Sequence, residues 1–311
     1  MEPSISIIIA TKGRYDGLRR LFESLKGLQG RADIEPEILV VNNADDGAPE
    51  RQVREMVETF NGDIRGVRCL RDENGISPRP KCEAHNLALK AAAGSILAFI
   101  DDDVEVTPGW LTAVRDFFLG HPYDAMQGSI LVPPAFQEDE EFLKVWNRYR
   151  TIPYINYGSE VMEIYTLTGP NMAIKREVFD RVGLFDERLG PGRSGMSEDV
   201  EFAQRILRSS GRIGYQPKAA VYHEADWDRL NDAFFRKWHE QQGRSRLLYK
   251  KSSLLTIIPN LSRSLISYRW YSLFFNERKR YRALGRYYHY MAMLREKVRA
   301  FDRRGSEGTA R

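Results

Sequence analysis

Cysteine is scarce, with only Cys69 and Cys82 in 311 residues. Two thiols without metal-ligand spacing exclude a disulfide framework and a cysteine-based zinc site, and they predict a chain kept in the reducing cytoplasm. Long apolar runs are also missing. Spanning a bilayer takes about 18 consecutive apolar residues, and the nearest approach, Leu254 to Phe275, is interrupted by Pro259, Arg263 and Arg269. The first apolar run begins at Ile5 with no basic leader before it, so no secretory signal is expected. The net charge of +4 is small but unevenly spread. From Ala225 onward 20 Lys and Arg face 8 Asp and Glu, whereas 27 face 35 before it. An acidic body over 1–224 therefore joins a basic tail over 225–311, a polarity that suits a membrane surface or a nucleic acid.

The body alternates strand and helix patterns. Ser4–Ala10, Glu37–Val41, Val67–Leu70 and Ser95–Ile100 are short apolar runs rich in strand formers. Amphipathic helices lie between them, through Leu18, Leu21, Phe22 and Leu25, then Val53, Val57 and Phe60, then Cys82 to Ala93. This order predicts βαβ units and a mainly parallel α/β sheet whose strand ends share one edge. Further on come a helix from Trp110 to Leu119, a strand from Ala125 to Val132 and a strand within Thr166–Ile174. Pro133–Glu163 carries Trp146, Tyr149, Tyr154 and Tyr157 without clear period and reads as a binding loop or a packed flap.

Each predicted strand end is polar, and the most acidic is Asp101-Asp102-Asp103. On an extended backbone Asp101 and Asp103 share a face, a hard oxygen site for Mg²⁺ or Mn²⁺, while Asp102 points away. The competing assignment is a cap for the helix near Pro108, which needs only one carboxylate. Lys81 and His85 sit near a helix N-terminus, placed either for phosphate or on a solvated face. Glu198-Asp199 follow the glycine-rich loop Gly190–Gly195, and Ser197 before them reads as an N-cap. A carboxylate pair after such a loop also suits a general base.

Taken in order, these segments resemble the family 2 inverting glycosyltransferases of GT-A fold, bacterial surface-polysaccharide type. The resemblance rests on Thr11-x-x-Arg14, Val40-Val41-Asn42-Asn43, Asn74-Gly75, Ala84-His85-Asn86 and Phe99-Ile100-Asp101-Asp102-Asp103. It continues through Lys175–Phe179, Gly183–Glu187, Glu198-Asp199 and Val221-Tyr222-His223. It implies a GT-A domain over 1–224, with a nucleotide-sugar half to about 105 and an acceptor half beyond, followed by a helical basic appendage. By the same resemblance Thr11, Arg14, Asn42 and Asn43 hold the nucleotide, Asp101 and Asp102 contact the donor, and Asp103 with Asp101 and His223 ligates Mn²⁺ or Mg²⁺. Asp199, beside Glu198, deprotonates the acceptor hydroxyl. The implied reaction moves a sugar from a UDP or dTDP donor to a glycan or lipid-linked acceptor. Two departures stand out: Asn42 replaces the usual Asp, and His85 replaces the usual Arg, with Lys81 or Arg79 as substitute phosphate contacts. A sugar-1-phosphate nucleotidyltransferase would need a longer, glycine-rich first loop, and a non-catalytic nucleotide-sugar-binding scaffold would be favoured by loss of Asp103 or Asp199.

The tail reads as helices interrupted at Pro259. Arg and Lys beside Trp270, Tyr271, Phe274 and Phe275 match a helix lying in an anionic membrane interface, peripheral to the inner face of the plasma membrane. Packing on the body or in a homodimer is the alternative, and nucleic acid is not the expected partner.

Overall fold

The computed structural model describes residues 2–64, 66–71 and 80–308, the last seven by backbone alone. The turn expected around Asn74, Gly75 and Arg79 lies outside the described residues. The chain divides into two compact units, one of residues 1–134, 153–187 and 198–225, the other of 135–152, 188–197 and 226–311.

The first unit is built on a nine-stranded sheet. Its strands are β1 (Ile5–Thr11), β2 (Glu37–Asn42), β3 (Val67–Leu70), β4 (Ile96–Asp101), β5 (Val104–Val106), β6 (Ala125–Leu131), β7 (Met162–Ile164), β8 (Asn171–Lys175) and β9 (Ile213–His223). The order is β3-β2-β1-β4-β8-β6-β9-β5, with β7 on β9. The β3-β2-β1-β4 half is parallel, whereas β8 runs antiparallel to both β4 and β6. The sheet is therefore mixed: β8 lies antiparallel between β4 and β6, and β6 pairs in parallel again with β9.

Helices α1 (Tyr15–Lys26), α2 (Arg31–Ile34), α3 (Ala48–Asp63), α4 (Lys81–Ala91) and α5 (Trp110–Gly120) fall in this unit. So do α8 (Arg176–Val182) and α9 (Glu198–Arg208), while α6 (Pro134–Gln137) and α7 (Glu140–Tyr149) intervene in sequence. Alternation along the strands accounts for the helices on both sides. Ile7, Ile9, Val40 and Ile100 pack with Leu21, Phe60 and Trp110 on one face. Ile8, Leu39, Val41 and Phe99 pack with Ala88, Phe179 and Phe202 on the other. With both faces covered, the central strands β1, β2 and β4 carry apolar residues on both faces through their middles.

A register shift between Gly128 and Ser129 bulges β9 against β6. Asn171 fills the irregularity: its Nδ2 donates to the Ser129 and Ala219 carbonyls, both at 2.8 Å, and its Oδ1 accepts Trp110 Nε1 at 2.9 Å. A Cβ on Gly128 would stand 2.2 Å from the Ala219 carbonyl oxygen, so only glycine fits there.

The second unit contains α7 and α10 (Asp232–Tyr249), α11 (Leu254–Leu273) and α12 (Glu277–Gly308). The aromatic segment expected to be irregular has a helical period after all. Phe142, Trp146 and Tyr149 are the buried positions of α7, and Asp139 caps it through Phe142 N–H at 3.0 Å. Tyr281 meets Tyr149 and Phe235 edge to face, with centroids 5.2 and 5.4 Å apart, and Tyr149 lies tilted on Phe235 at 5.9 Å. Pro259 does not end the helix. It lies in the second turn of α11, where it leaves the Leu255 carbonyl without its i→i−4 donor, and the helix continues past it to Leu273. Among the described residues no helix is long and apolar enough to cross a membrane.

Candidate active site

Strand register assembles the site. Thr11 stands opposite Asn42, and Ala10 opposite Asp101, so the carboxyl ends of β1, β2 and β4 form one row. Ligands of open α/β sheets bind beyond such ends. β4 stops at Asp101, Asp102 and Asp103 make a turn, and β5 then pairs antiparallel with β9, setting Val104 against His223. The Glu224 N–H donates to the Asp103 carbonyl at 2.9 Å, which closes this corner.

The turn divides the acidic triplet differently from the alternation expected of a strand. Asp101 accepts a hydrogen bond from Lys81 Nζ at 2.5 Å. Asp102 accepts from Thr11 Oγ1 at 2.6 Å, and Asp103 pairs with Arg14. Asp101 and Asp103 thus have separate cationic partners, because the backbone is no longer extended after Asp101. Nor does the triplet cap α5, whose N-cap is Gly109 without a side-chain bond. Burial pushes the Asp102 carboxyl up to about 7; Asp103 adds to the shift, and Thr11 and Arg14 oppose it.

His223 Nε2 lies 3.5 Å from Asp103 Oδ1, and its Nδ1 is 3.0 Å from the Glu224 carbonyl oxygen. A carbonyl only accepts, so in the neutral ring Nδ1 carries the proton and Nε2 presents its lone pair. A carboxylate oxygen beside a tautomer-fixed imidazole is a donor set suited to Mn²⁺. Among the described residues no group of three or more His, Cys, Asp or Glu side chains is arranged to hold a metal by itself.

Glu198 and Asp199 open α9 and are brought to the same place. Asp199 Oδ2 accepts the Gly169 N–H at 2.8 Å and Oδ1 accepts the Val200 N–H at 2.7 Å. Lys81 Nζ is 3.9 Å from Glu198 Oε1. Burial raises both carboxyls above their ordinary range, and their mutual repulsion adds to the shift on Glu198. Burial works against the Lys81 charge, but Asp101, Glu198 and Asp199 outweigh it and the ammonium is held. Ser197 is not the expected N-cap in geometry: its φ is 75°, left-handed, whereas a capping residue is extended.

His85 requires a correction. It is 1% exposed, with its ring 5.0 Å from Phe99 and 5.5 Å from Phe185. Burial, helped by Lys81, drives its pKa far down, so the ring is neutral and packed in the core. It offers neither a charged phosphate contact nor a solvated helix face. One helical turn earlier, Lys81 reaches the carboxylates instead.

The Asn42 side chain, expected to hold the base, is occupied with building the loop after β2. Asn42 Oδ1 accepts Ala44 N–H at 3.2 Å, its Nδ2 donates to the Glu50 carbonyl at 3.0 Å, and Asn43 N–H bonds the Thr11 carbonyl at 2.7 Å. Buried Glu50 is held by Arg54 at 2.6 Å and faces Arg71 at 3.5 Å.

Sequence reasoning passed over Gly17 at this site, whereas Gly169 was expected to allow close backbone approach. A Cβ on Gly17 would lie 2.5 Å from the Asp102 carbonyl oxygen, so this glycine lets α1 approach the acidic turn. A Cβ on Gly169 would be 3.3 Å from Lys81 Nζ. For Gly17 the available signal was its isolation in an amphipathic helix pattern; at Gly169 the close approach brings the backbone N–H to Asp199.

Solved structures share this architecture. A mannosyltransferase of Pyrobaculum calidifontis, in complex with GDP-Man and Mn²⁺, superposes with a TM-score of 0.61 at 18% identity, over 96% of this chain and 88% of that one. S. aureus TarS 1-349, in complex with UDP-GlcNAc, gives 0.58 at 15%, over 95% and 92%. Among curated proteins, the glucosyl-dolichyl phosphate glucuronosyltransferase of Haloferax volcanii is 26% identical over 73% of this chain and 72% of its own. The succinoglycan biosynthesis protein ExoM of Rhizobium meliloti is 27% identical over 75% and 72%. The pre-mycofactocin glycosyltransferase of Mycobacterium tuberculosis is 28% identical over 71% of this chain, which spans only 42% of that protein. The model of Glycosyl transferase family 2 matches residues 6–183, and that of Glycosyl transferase family group 2 matches 96–292. With the mixed sheet, the acidic turn at its carboxyl edge and more than half of the chain matched, this protein belongs to glycosyl transferase family 2.

Proposed function

We propose that the protein transfers a sugar, with inversion at the anomeric carbon, from a UDP- or dTDP-linked donor to a hydroxyl of a glycan or lipid-linked acceptor in cell-surface polysaccharide synthesis. The observation that carries the reading is the gathering of Asp101, Asp103, Glu198 and Asp199 around Lys81, Arg14 and a tautomer-fixed His223. Asp103 and His223 would hold Mn²⁺ or Mg²⁺, which supplies charge neutralisation to the diphosphate, and substrate oxygens complete so sparse a protein ligand set. Residues 1–105 form the donor half and 106–224 the acceptor half.

Asp199 is the general base. Two backbone N–H donors fix its carboxylate, and its raised pKa strengthens it as a proton acceptor. Lys81 and Arg14 stabilise negative charge on the departing nucleoside diphosphate. Thr11 and the Asn42–Asn43 loop shape the nucleotide end by backbone groups more than by side chains. A single base and a single leaving-group site imply one in-line displacement, hence inversion. A lipid-linked acceptor accords with the dolichyl phosphate in the Haloferax relative's name and would be met at the inner face of the plasma membrane.

The test is metal-dependent release of nucleoside diphosphate from a panel of sugar donors, followed by product stereochemistry. Release from one donor class with inverted product is expected. Retained configuration, or no release from any donor with Mn²⁺ or Mg²⁺, overturns the reading.

A further inference from the structure

The second unit exposes an apolar surface that the transfer chemistry does not use. On α11, Leu255, Ile258, Ile266 and Leu273 fall on one face at helical spacing, flanked by Trp270. Leu255 is 89% exposed, Ile266 69% and Leu273 73%, and Phe275, just past the helix end, is 95% exposed. The opposite face, through Ile257 and Ser264, is buried, and α11 pairs with α12. The helix therefore buries one side and leaves an apolar stripe on the other, an arrangement that is costly in water without a partner.

The charges around this face indicate the partner. From Lys250 to Asn276 there is no Asp or Glu, while Lys250, Lys251, Arg263 and Arg269 are all exposed. Beyond it Arg278, Lys279 and Arg282 are exposed as well, and the one acid, Glu277, pairs with Arg148 at 3.0 Å. A second copy docked face to face would set these cations against one another with no acid to compensate. An anionic lipid surface meets both features, taking the apolar stripe into its acyl boundary and the cations at its headgroups. Each basic side chain near an anionic leaflet strengthens binding by about fivefold.

We propose that α11, with the aromatic turn that follows it, docks flat on an anionic phospholipid surface through the Leu255–Ile266–Leu273 stripe. The proposal is independent of donor, metal and base, so its failure leaves the transferase reading standing.

The experiment is co-sedimentation of the full chain with vesicles of phosphatidylcholine, alone or with one quarter phosphatidylglycerol, beside the triple variant Leu255→Ser, Ile266→Ser and Phe275→Ser. All three side chains are exposed, so the variant keeps its circular dichroism and its donor turnover. Binding to phosphatidylglycerol vesicles is expected to be at least tenfold tighter than to phosphatidylcholine alone, weakened by salt, and at least tenfold weaker in the variant. Absence of vesicle binding, or equal binding by the variant, overturns the proposal. So does a wild-type dimer in analytical ultracentrifugation that the variant dissociates without any vesicle binding, which would make a second copy the occupant.

Discussion

Lys81→Met removes the cation placed, among the described residues, between Asp101 and the Glu198–Asp199 pair while keeping most of the side-chain volume. Lys81 Nζ lies 3.9 Å from Glu198 Oε1, a Coulomb attraction of about 4 kcal/mol at an effective dielectric of about 20. At about 1.4 kcal/mol per pKa unit, that is an upper bound near three units. Residual access of solvent to the ammonium makes the actual shift on Glu198 smaller than this bound. Burial already raises both carboxyls, so losing Lys81 moves them further in the same direction. The base must be ionised to accept a proton. Lys81 also holds the Asp199 carboxyl down, so the acid limb of the kcat/KM profile moves to higher pH, and on that limb the rate falls about tenfold per pH unit. The assay is nucleoside diphosphate release between pH 5 and 9. Lys81→Arg keeps the charge and restores most of the limb. An acid limb that stays in place in Lys81→Met, with only KM raised, would refute the electrostatic link and leave Lys81 a donor contact.

Asp199→Asn should keep donor affinity near normal and lower kcat by about 10²-fold or more, as expected for a lost general base, whereas Asp103→Asn should chiefly weaken metal-dependent donor binding; calorimetric titration separates the two. Gly17→Ala places a Cβ 2.5 Å from the Asp102 carbonyl, so α1 or the acidic turn must shift; donor affinity is expected to drop at least tenfold although alanine favours the helix by about 1 kcal/mol. Burial holds His239 and His289 down to about 4. Unfolded histidines bind protons from about 6.5 downward, so stability of the helical unit falls between about pH 6.5 and 4, by about 1.4 kcal/mol per pH unit for each. Urea melts followed by circular dichroism at pH 7 and 5 check this, and His239→Gln should flatten the dependence.

The parallel half of the sheet was legible because β1, β2 and β4 are apolar on both faces through their centres, Ile7–Ala10, Ile38–Val41 and Ile96–Ile100, which needs both faces covered and leaves little choice of element. The antiparallel half was harder. β8 pairs with β4 and β6 across long sequence separations, and nothing in Asn171–Lys175 distinguishes an antiparallel strand from a parallel one. Nor does the Pro217–Ala219 bulge in β9 have a local pattern beyond its proline. The miss at α7 had a different cause. Its apolar positions, Phe142, Trp146 and Tyr149, are all aromatic and lie near Tyr154 and Tyr157, so the helical spacing was obscured by residues that also suit a binding loop.

At the candidate site, residue types were easier to read than their partners. Three adjacent carboxylates at a strand end mark an acidic centre, but which of them converge depends on where the strand stops. Because β4 ends at Asp101 and a turn follows, Asp103 is carried to His223 by the β5–β9 pairing, while Asp101 is left to Lys81. The same dependence on depth separates Lys81 from His85. They are one helical turn apart on α4, yet the flexible ammonium reaches the polar edge and the imidazole meets Phe99 and Phe185 in the core. A spacing of four residues puts two side chains on one face of a helix. It does not say how far down that face the solvent ends, and the charge state of a histidine is decided by that boundary.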